Sequence, residues 1–407
     1  MKCRICYSNN LTKFLDLGST PPADDFLVAG RLKEKEKYYP LDVYICNDCS
    51  LVQLGHTVPP EILFQNDYPY ESSMTKAGQK HFHSFASDVV SRFKLNSKDL
   101  AVDIGSNVGV LLQGFKNEGL QVLGIDPADN ICKIAIKSGI DTISSFFNEE
   151  AVREVIKKKG KAKVITGTNV FAHVDDIHSL VKNVDKLLSE KGIFIIEAPY
   201  LIWLLEHLEY DTIYHEHLSY LSVKPLNVLF GKHGMEIFDI VEADIHGGSI
   251  RYFIARQGDY KVTENVKRLI TLEKEKKAYD IDRLLKFAKD VEKNREDLMQ
   301  MLRELKNKGK RIVGVSAPAK GMTLLNYCKI GTDILDFVTE KSTLKIGKYT
   351  PGMHIPVLPD SELLKQKPDY ALLLAWNFAE EIMNNLKDFK SAGGKFIIPI
   401  PKPRIVG

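Results

Sequence analysis

The feature that most constrains this chain is a strand, a tight turn and a helix read consecutively between residues 100 and 115. Leu100-Ala101-Val102-Asp103-Ile104 is a buried-strand run, Gly105-Ser106-Asn107-Val108-Gly109 turns the chain, and Val110-Leu111-Leu112 through Phe115 starts a helix. Val122-Leu123-Gly124-Ile125-Asp126, Lys163-Val164-Ile165-Thr166 and Gly192-Ile193-Phe194-Ile195-Ile196-Glu197 repeat the strand pattern with helical segments between them. Strands alternating with helices predict an α/β fold with a doubly wound sheet and a ligand over the strand C-termini.

The turn narrows the ligand. A dinucleotide fingerprint carries G-x-G-x-x-G, whose middle glycine lets backbone approach a pyrophosphate. Here the pattern is Asp103-x-Gly105-x-x-x-Gly109, with Ser106 and Asn107 where a second glycine would help. An acidic strand residue repels phosphate but suits a cationic ligand bearing an amine, and S-adenosylmethionine has a sulfonium, an α-ammonium and no phosphate. Asp126, at the end of the second strand, is placed for ribose hydroxyls, a position that a nicotinamide cofactor would use as well. Asn169 and His173 follow the strand ending at Thr166 and project toward the same crevice. Phe146 and Phe147 suit either an adenine contact or core packing.

Four of the six cysteines form two pairs, Cys3-x-x-Cys6 and Cys46-x-x-Cys49. Two such turns brought together make the tetrahedral thiolate set that Zn²⁺ prefers. The 39 intervening residues exceed ribbon spacing, so the site reads as structural, stapling a segment too small to bury a core unaided. Cys132 and Cys328 read as ordinary buried thiols.

Bulk properties exclude several roles. The chain has 56 Lys+Arg against 53 Asp+Glu, a formal charge of +3, which gives no support to a nucleic-acid or membrane-surface role. The most apolar stretch, Ile193 to Leu205, is broken by Glu197 and Pro199 and falls short of the ~20 residues of a bilayer span. Without an apolar h-region after Met1, a cytoplasmic location is expected. At 407 residues the chain has room for two to four domains, at about 100–200 residues each.

Five of the eleven histidines fall between residues 207 and 246, centred on Asp211-Thr212-Ile213-Tyr214-His215-Glu216-His217-Leu218-Ser219-Tyr220. Titratable groups at this density are costly to bury unpaired and suit proton transfer near neutrality. A hydrogen-bonded structural loop, or a second metal site at His215-x-His217, are the competing readings. His246-Gly247-Gly248-Ser249 is another polar turn. From Asp259 to Lys308 there is no Gly or Pro, and Leu, Ile and Val recur at helical spacing, predicting one long helix or two. After Gly309, Arg311–Val315 restarts an α/β pattern, continued by Asp369–Leu374 and Lys395–Pro399.

These motifs together resemble the bacterial nucleotide-sugar C-methyltransferases, which place a methyl branch on 4-keto deoxysugars. The resemblance runs end to end: the paired cysteine motifs, Tyr68-Pro69-Tyr70-Glu71-Ser72-Ser73, the Asp103-x-Gly105 turn, Asn169-Val170-Phe171-Ala172-His173, Glu197-x-Pro199-Tyr200, Asp211 to Tyr220 and His246 to Arg251. It continues at Ala317-Pro318-Ala319-Lys320-Gly321, Pro351-Gly352-x-His354-Ile355-Pro356 and Ala375-Trp376-Asn377-Phe378. The resemblance implies a zinc-binding N-terminal domain (1–72), a Rossmann-like class I methyltransferase domain that binds S-adenosylmethionine (73–258), a helical connector (259–308) and a C-terminal Rossmann-like α/β domain for the nucleotide-sugar (309–407).

The implied reaction is methylation of the carbon beside the ketone, C3 of an NDP-linked 4-keto-6-deoxy sugar, through an enolate. His217 would be the base, Glu216 its assistant, and Tyr214 and His173 the contacts to the keto oxygen or a neighbouring hydroxyl. Asp103, Gly105, Ser106, Asn107, Gly109, Asp126 and Asn169 form the expected cofactor set. Tyr68, Tyr70, His215, His246, Lys320 and Asn326 form the expected substrate set. Gly314-Val315-Ser316 departs from the family's usual glycine-tyrosine-glycine run, and Thr339-Glu340-Lys341 stands where an Asp is common. Both departures bear on nucleotide preference rather than on methyl chemistry. An O- or N-methyltransferase, a nicotinamide oxidoreductase and a non-catalytic zinc-ribbon scaffold are the alternatives.

Overall fold

In the computed structural model, which describes residues 1–65, 69, 76–243 and 248–407, three sheets organise the chain. The strand–turn–helix at residue 100 lies at the centre of the largest. Its seven strands run in the order Met235–Ala243, Ser249–Arg256, Leu188–Pro199, Ala162–Thr168, Leu100–Ile104, Gln121–Asp126, Thr142–Ser144. All pair in parallel except Ser249–Arg256, which is antiparallel to both neighbours. Every side chain of Leu100–Ile104 is buried, as expected of a strand covered by helices on both faces. The doubly wound sheet expected from the sequence is thus present, and its chain order reverses beside Leu100–Ile104. That puts the crevice over the Gly105 turn.

The turn depends on Gly105, which has a φ of +63°. A Cβ there would fall 2.3 Å from Val170 Cγ2, so only glycine lets the turn pack under the loop leaving Ala162–Thr168. Gly109, at φ +82°, is the N-cap of the helix Val110–Asn117, and a Cβ on it would meet Ile140.

The second sheet holds the cysteine pairs. Leu11–Thr20, Tyr39–Cys46 and Val52–Leu54 form an antiparallel meander. Its fourth strand comes from far along the chain: Ser219–Tyr220, the end of the histidine-rich segment, pairs with Gln53 and Val52. The third sheet is again doubly wound, in the order Val357–Pro359, Val338–Glu340, Ile312–Val315, Tyr370–Leu373, Lys395–Ile398, Arg404–Val406, with only the last pairing antiparallel.

The Gly- and Pro-free segment forms two helices, Glu264–Glu275 and Ile281–Asn307. Asp280 caps the longer by accepting from the amides of Asp282 and Arg283. One stripe of that helix is buried, including Leu284, Phe287, Val291, Leu298, Leu302 and Leu305. On the same stripe Asn294 accepts from the Tyr210 hydroxyl at 2.8 Å and donates to the carbonyls of Pro399 and Pro401 at 2.9 Å. The helix therefore ties the histidine-rich segment to the last sheet. Among the described residues, no helix is long and apolar enough to cross a membrane.

Candidate functional site

A cleft of about 980 Å³ opens over the C-terminal ends of the central strands. Its floor is the Gly105 turn with Asp103, Ser106, Asn107, Asp126 and Asn169. His173, Tyr214, Glu216 and His217 line it above, Lys320 and Asn377 come from the third sheet's region, and Thr57 and Asp24 from the first. Phe146 and Phe147 also face it.

On the floor, Asp103 is buried with its Oδ1 accepting from Thr166 Oγ1 at 2.6 Å. Burial pushes its carboxyl up to about 7; the Thr166 bond opposes that shift and the Asp126 charge adds to it. Asp126 shapes the turn: its Oδ2 accepts from the Asn107 amide and its Oδ1 from the Ala128 amide, both at 2.9 Å. Burial raises the Asp126 carboxyl, opposed by those two amides. Asn107 and Asn169 both adopt positive φ, +50° and +55°, a conformation that asparagine tolerates better than most residues. The Asn169 amide donates to the Glu197 carbonyl at 2.8 Å. Beneath, the Glu197 carboxylate binds Arg251 through Nε and Nη2 at 2.9 and 2.7 Å and meets His81 Nε2 at 2.6 Å.

On the opposite wall, His217 Nδ1 lies 2.7 Å from the Thr212 carbonyl. A carbonyl only accepts, so Nδ1 carries the proton and Nε2 is the basic nitrogen of the neutral ring. The His217 ring lies 4.1 Å from that of Tyr214 and stacks on His173 at 5.0 Å. His173 is half-buried, and desolvation of its ring together with its histidine neighbour holds it well below the ordinary range, so it is neutral. Its Nε2 is buried with no hydrogen-bond partner among the described residues. A buried polar atom left unpaired costs about 1–3 kcal/mol, so this nitrogen is a candidate to donate to or accept from a bound ligand.

Two of the expected substrate residues are not on the cleft lining. His215 points away from the cleft: its Nε2 donates to the Tyr39 carbonyl at 3.0 Å and its ring meets Tyr39 edge-on. It fastens the loop to the first sheet, and among the described residues neither His215 nor His217 belongs to a group of three or more candidate metal ligands. Asn326 is buried in the helix Ala319–Cys328, donating to the carbonyls of Met322 and Pro351 at 2.9 and 3.1 Å. It holds the Pro351 turn and does not reach the cleft. Gly109 acts through backbone conformation and is not on the cleft wall. Tyr68, Tyr70 and His246 lie outside the described residues.

Several contacts at and behind the cleft were not singled out from the sequence. Asp211, inside the histidine-rich motif, is fully buried; its Oδ2 accepts from Trp376 Nε1 at 2.7 Å and lies 3.8 Å from Lys320 Nζ. Lys320 also sits 4.7 Å from the Trp376 ring centre. Lys345, on the cleft wall, binds Asp24 at 3.0 Å and the Ala317 carbonyl at 2.9 Å. The Trp376-Asn377 motif was the one available signal for the Trp376 contact; Lys345 and Asp24 sit in no motif.

The cysteine pairs converge as expected. The four Sγ atoms lie within 4.8 Å of one another, with Cys3–Cys49 and Cys6–Cys46 at 3.4 Å. Tetrahedral zinc with thiolates at about 2.3 Å needs sulfurs ~3.8 Å apart, so the set fits the ion. It is the only such group of Cys, His, Asp and Glu among the described residues. The cofactor floor also fits its ligand: the Asp103 carboxyl lies on the cleft, and Ser106 and Asn107 stand where a dinucleotide turn has the glycine that admits a pyrophosphate, a setting for a cationic methyl donor.

Comparison with known proteins agrees with this geometry. Residues 3–64 match a family described as "Putative zinc binding domain", 79–240 a "Methyltransferase domain" and 244–401 a "C-methyltransferase C-terminal domain". The "C-methyltransferase NovU" of Streptomyces niveus is 37% identical over 406 residues, spanning 100% of this chain and 96% of the relative. The ubiquinone biosynthesis O-methyltransferase of Rhodopseudomonas palustris (strain TIE-1) is 27% identical over 129 residues, 30% of this chain and 51% of its own. Among solved structures, the magnesium protoporphyrin IX methyltransferase of Synechocystis PCC 6803 is 14% identical over 44% of this chain and 79% of its own, with a TM-score of 0.34. With relatedness to NovU along its whole length, the chain belongs to the C-methyltransferase family: an S-adenosylmethionine-dependent methyltransferase with a zinc-binding N-terminal sheet.

Proposed function

We propose that this enzyme methylates the carbon beside the ketone, C3, of a nucleotide-linked 4-keto-6-deoxy sugar, in the cytoplasm, as a step in making a branched sugar. The observation that carries the reading is the His217–His173 pair: a base held at Nδ1, stacked on a neutral imidazole whose buried Nε2 has no hydrogen-bond partner among the described residues.

A proton on carbon next to a ketone is weakly acidic, and its removal needs a base together with donors for the developing enolate oxygen. His217 Nε2 takes the proton, and the Thr212 carbonyl steadies the imidazolium that results. Glu216, buried and on the cleft wall, adds negative charge that favours that cation. His173, as the Nε2–H tautomer, donates to the oxygen, and being neutral before and after it need not give up a proton. Tyr214 packs against His217 and limits the ring to one orientation. Bound S-adenosylmethionine supplies an electrophilic methyl on its sulfonium, to which the substrate carbon transfers its electron pair. Asp103 holds the cationic donor, Asp126 and Asn169 its polar groups, and Lys320 the anionic part of the substrate.

The test is deuterium exchange at the α-carbon in D₂O, with TDP-, GDP- and CDP-linked 4-keto-6-deoxy sugars and S-adenosylhomocysteine in place of the donor. Enzyme-dependent exchange at C3 that disappears in His217→Asn, with S-adenosylmethionine affinity unchanged, is expected. Exchange that persists in His217→Asn overturns the assignment of the base.

A further inference from the structure

Arg4, between the zinc ligands Cys3 and Cys6, reaches from the thiolate cluster to the segment that carries His217. Its side chain is only 8% exposed, and its guanidinium is spread over four acceptors. Nε donates to Asp175 Oδ1 at 2.7 Å, Nη1 to the carbonyls of Leu54 and Leu218 at 2.8 and 3.2 Å, and Nη2 to Thr57 Oγ1 at 2.8 Å. Leu218 directly follows His217. Its carbonyl also accepts from the Leu54 amide at 3.0 Å, and its own amide donates to the Ala172 carbonyl at 2.8 Å, one residue before His173. The Arg4 amide in turn donates at 3.0 Å to Gln53, the residue in register with Ser219.

We infer that Arg4 is a positioning residue for His217: the fork built into the zinc turn fixes the Leu218 peptide and Asp175, and so sets where the imidazoles of His217 and His173 stack. The functional half of this inference rests on His217 being the base; the structural half does not. A planar five-donor fork is needed, because one ammonium cannot bridge two carbonyls, a hydroxyl and a carboxylate in this layout. Without it the Leu218 carbonyl keeps a single donor, from a three-residue strand, and His217 gains freedom about the peptide that follows it. Misplacement on the order of 1 Å can cost a factor of about 100 in rate. Arg4 thereby gives the zinc-binding sheet a role in the chemistry beyond folding.

The experiment uses the full-length, zinc-loaded protein with Arg4→Gln and Arg4→Lys. Zinc content and S-adenosylmethionine affinity are measured first, then the ¹⁵N imidazole spectrum, with His217→Asn identifying the His217 signals. With zinc and donor affinity as in the wild type, the His217 Nδ1–H signal is expected to shift or broaden in Arg4→Gln while that of His354 stays put. With the panel sugar that the wild type turns over, kcat is expected to fall about 10–100-fold at unchanged KM for the donor, and Arg4→Lys to fall between. An unmoved His217 signal with full kcat overturns the inference. So does loss of zinc in both variants, which would make Arg4 a support of the metal site. The spectrum needs no substrate, so failure of the sugar reading leaves it decisive.

Discussion

Replacing Asp103 by asparagine should stabilise the cofactor-free protein while weakening donor binding. The carboxyl is fully buried and its pKa stands at about 7, against about 3.9 in an unfolded chain. Because the folded-state value is raised, the group costs nothing below pH 3.9, its cost grows as pH rises, and it is complete above pH 7. About three pKa units correspond to about 4 kcal/mol at pH 8, and about 2 kcal/mol at pH 5.5. Asparagine has nothing to ionise and can still accept from Thr166 Oγ1, so that cost disappears. In a domain of this size the midpoint of thermal unfolding should rise on the order of 10 °C at pH 8 and about half as much at pH 5.5. Calorimetric titration should meanwhile show S-adenosylmethionine binding weakened about 10–100-fold, the loss of one charge-assisted hydrogen bond. In the wild type, affinity should also drop about tenfold per pH unit below 7, as the apo carboxyl takes up a proton that a cationic ligand must displace. The variant should lack that slope. An Asp103→Asn protein no more stable than wild type at pH 8, or one that binds the donor as tightly, refutes the reasoning.

Gly105→Ala should cost about 2–4 kcal/mol, from about 1 for the left-handed backbone and 1–3 for the contact with Val170; denaturant unfolding should show Val170→Ala restoring part of it. Chelation of zinc should lower the unfolding midpoint, with zinc but not magnesium restoring it, as followed by circular dichroism and metal analysis. Glu197→Gln breaks a buried pair with Arg251 and should destabilise by about 3–5 kcal/mol in urea titration.

The central strand and its turn were legible because their information is local. Five consecutive buried residues, a glycine forced to positive φ and an acidic strand residue all lie within ten positions. The cysteine pairs were legible for the same reason, two fixed spacings with a single coordination chemistry to satisfy. What the sequence hid lies between distant segments. Ser219–Tyr220 is too short to read as a strand, and its partner is Val52–Leu54. His215 and His217 are equivalent in sequence, yet the extension of that loop toward Tyr39 turns the first outward and leaves the second on the cleft. Asn326 stood near a substrate motif but spends its amide on the Pro351 turn, which no local pattern announces. The Asp211–Trp376 contact joins residues 165 apart, so its chemistry emerges only when the central and third sheets meet.

The most direct test of the account offers the protein S-adenosylmethionine and the TDP-, GDP- and CDP-linked 4-keto-6-deoxy sugars, and assigns the new methyl by mass spectrometry and ¹³C NMR. The account predicts a methyl on ring carbon 3 beside the ketone. A methyl on oxygen or nitrogen would contradict it.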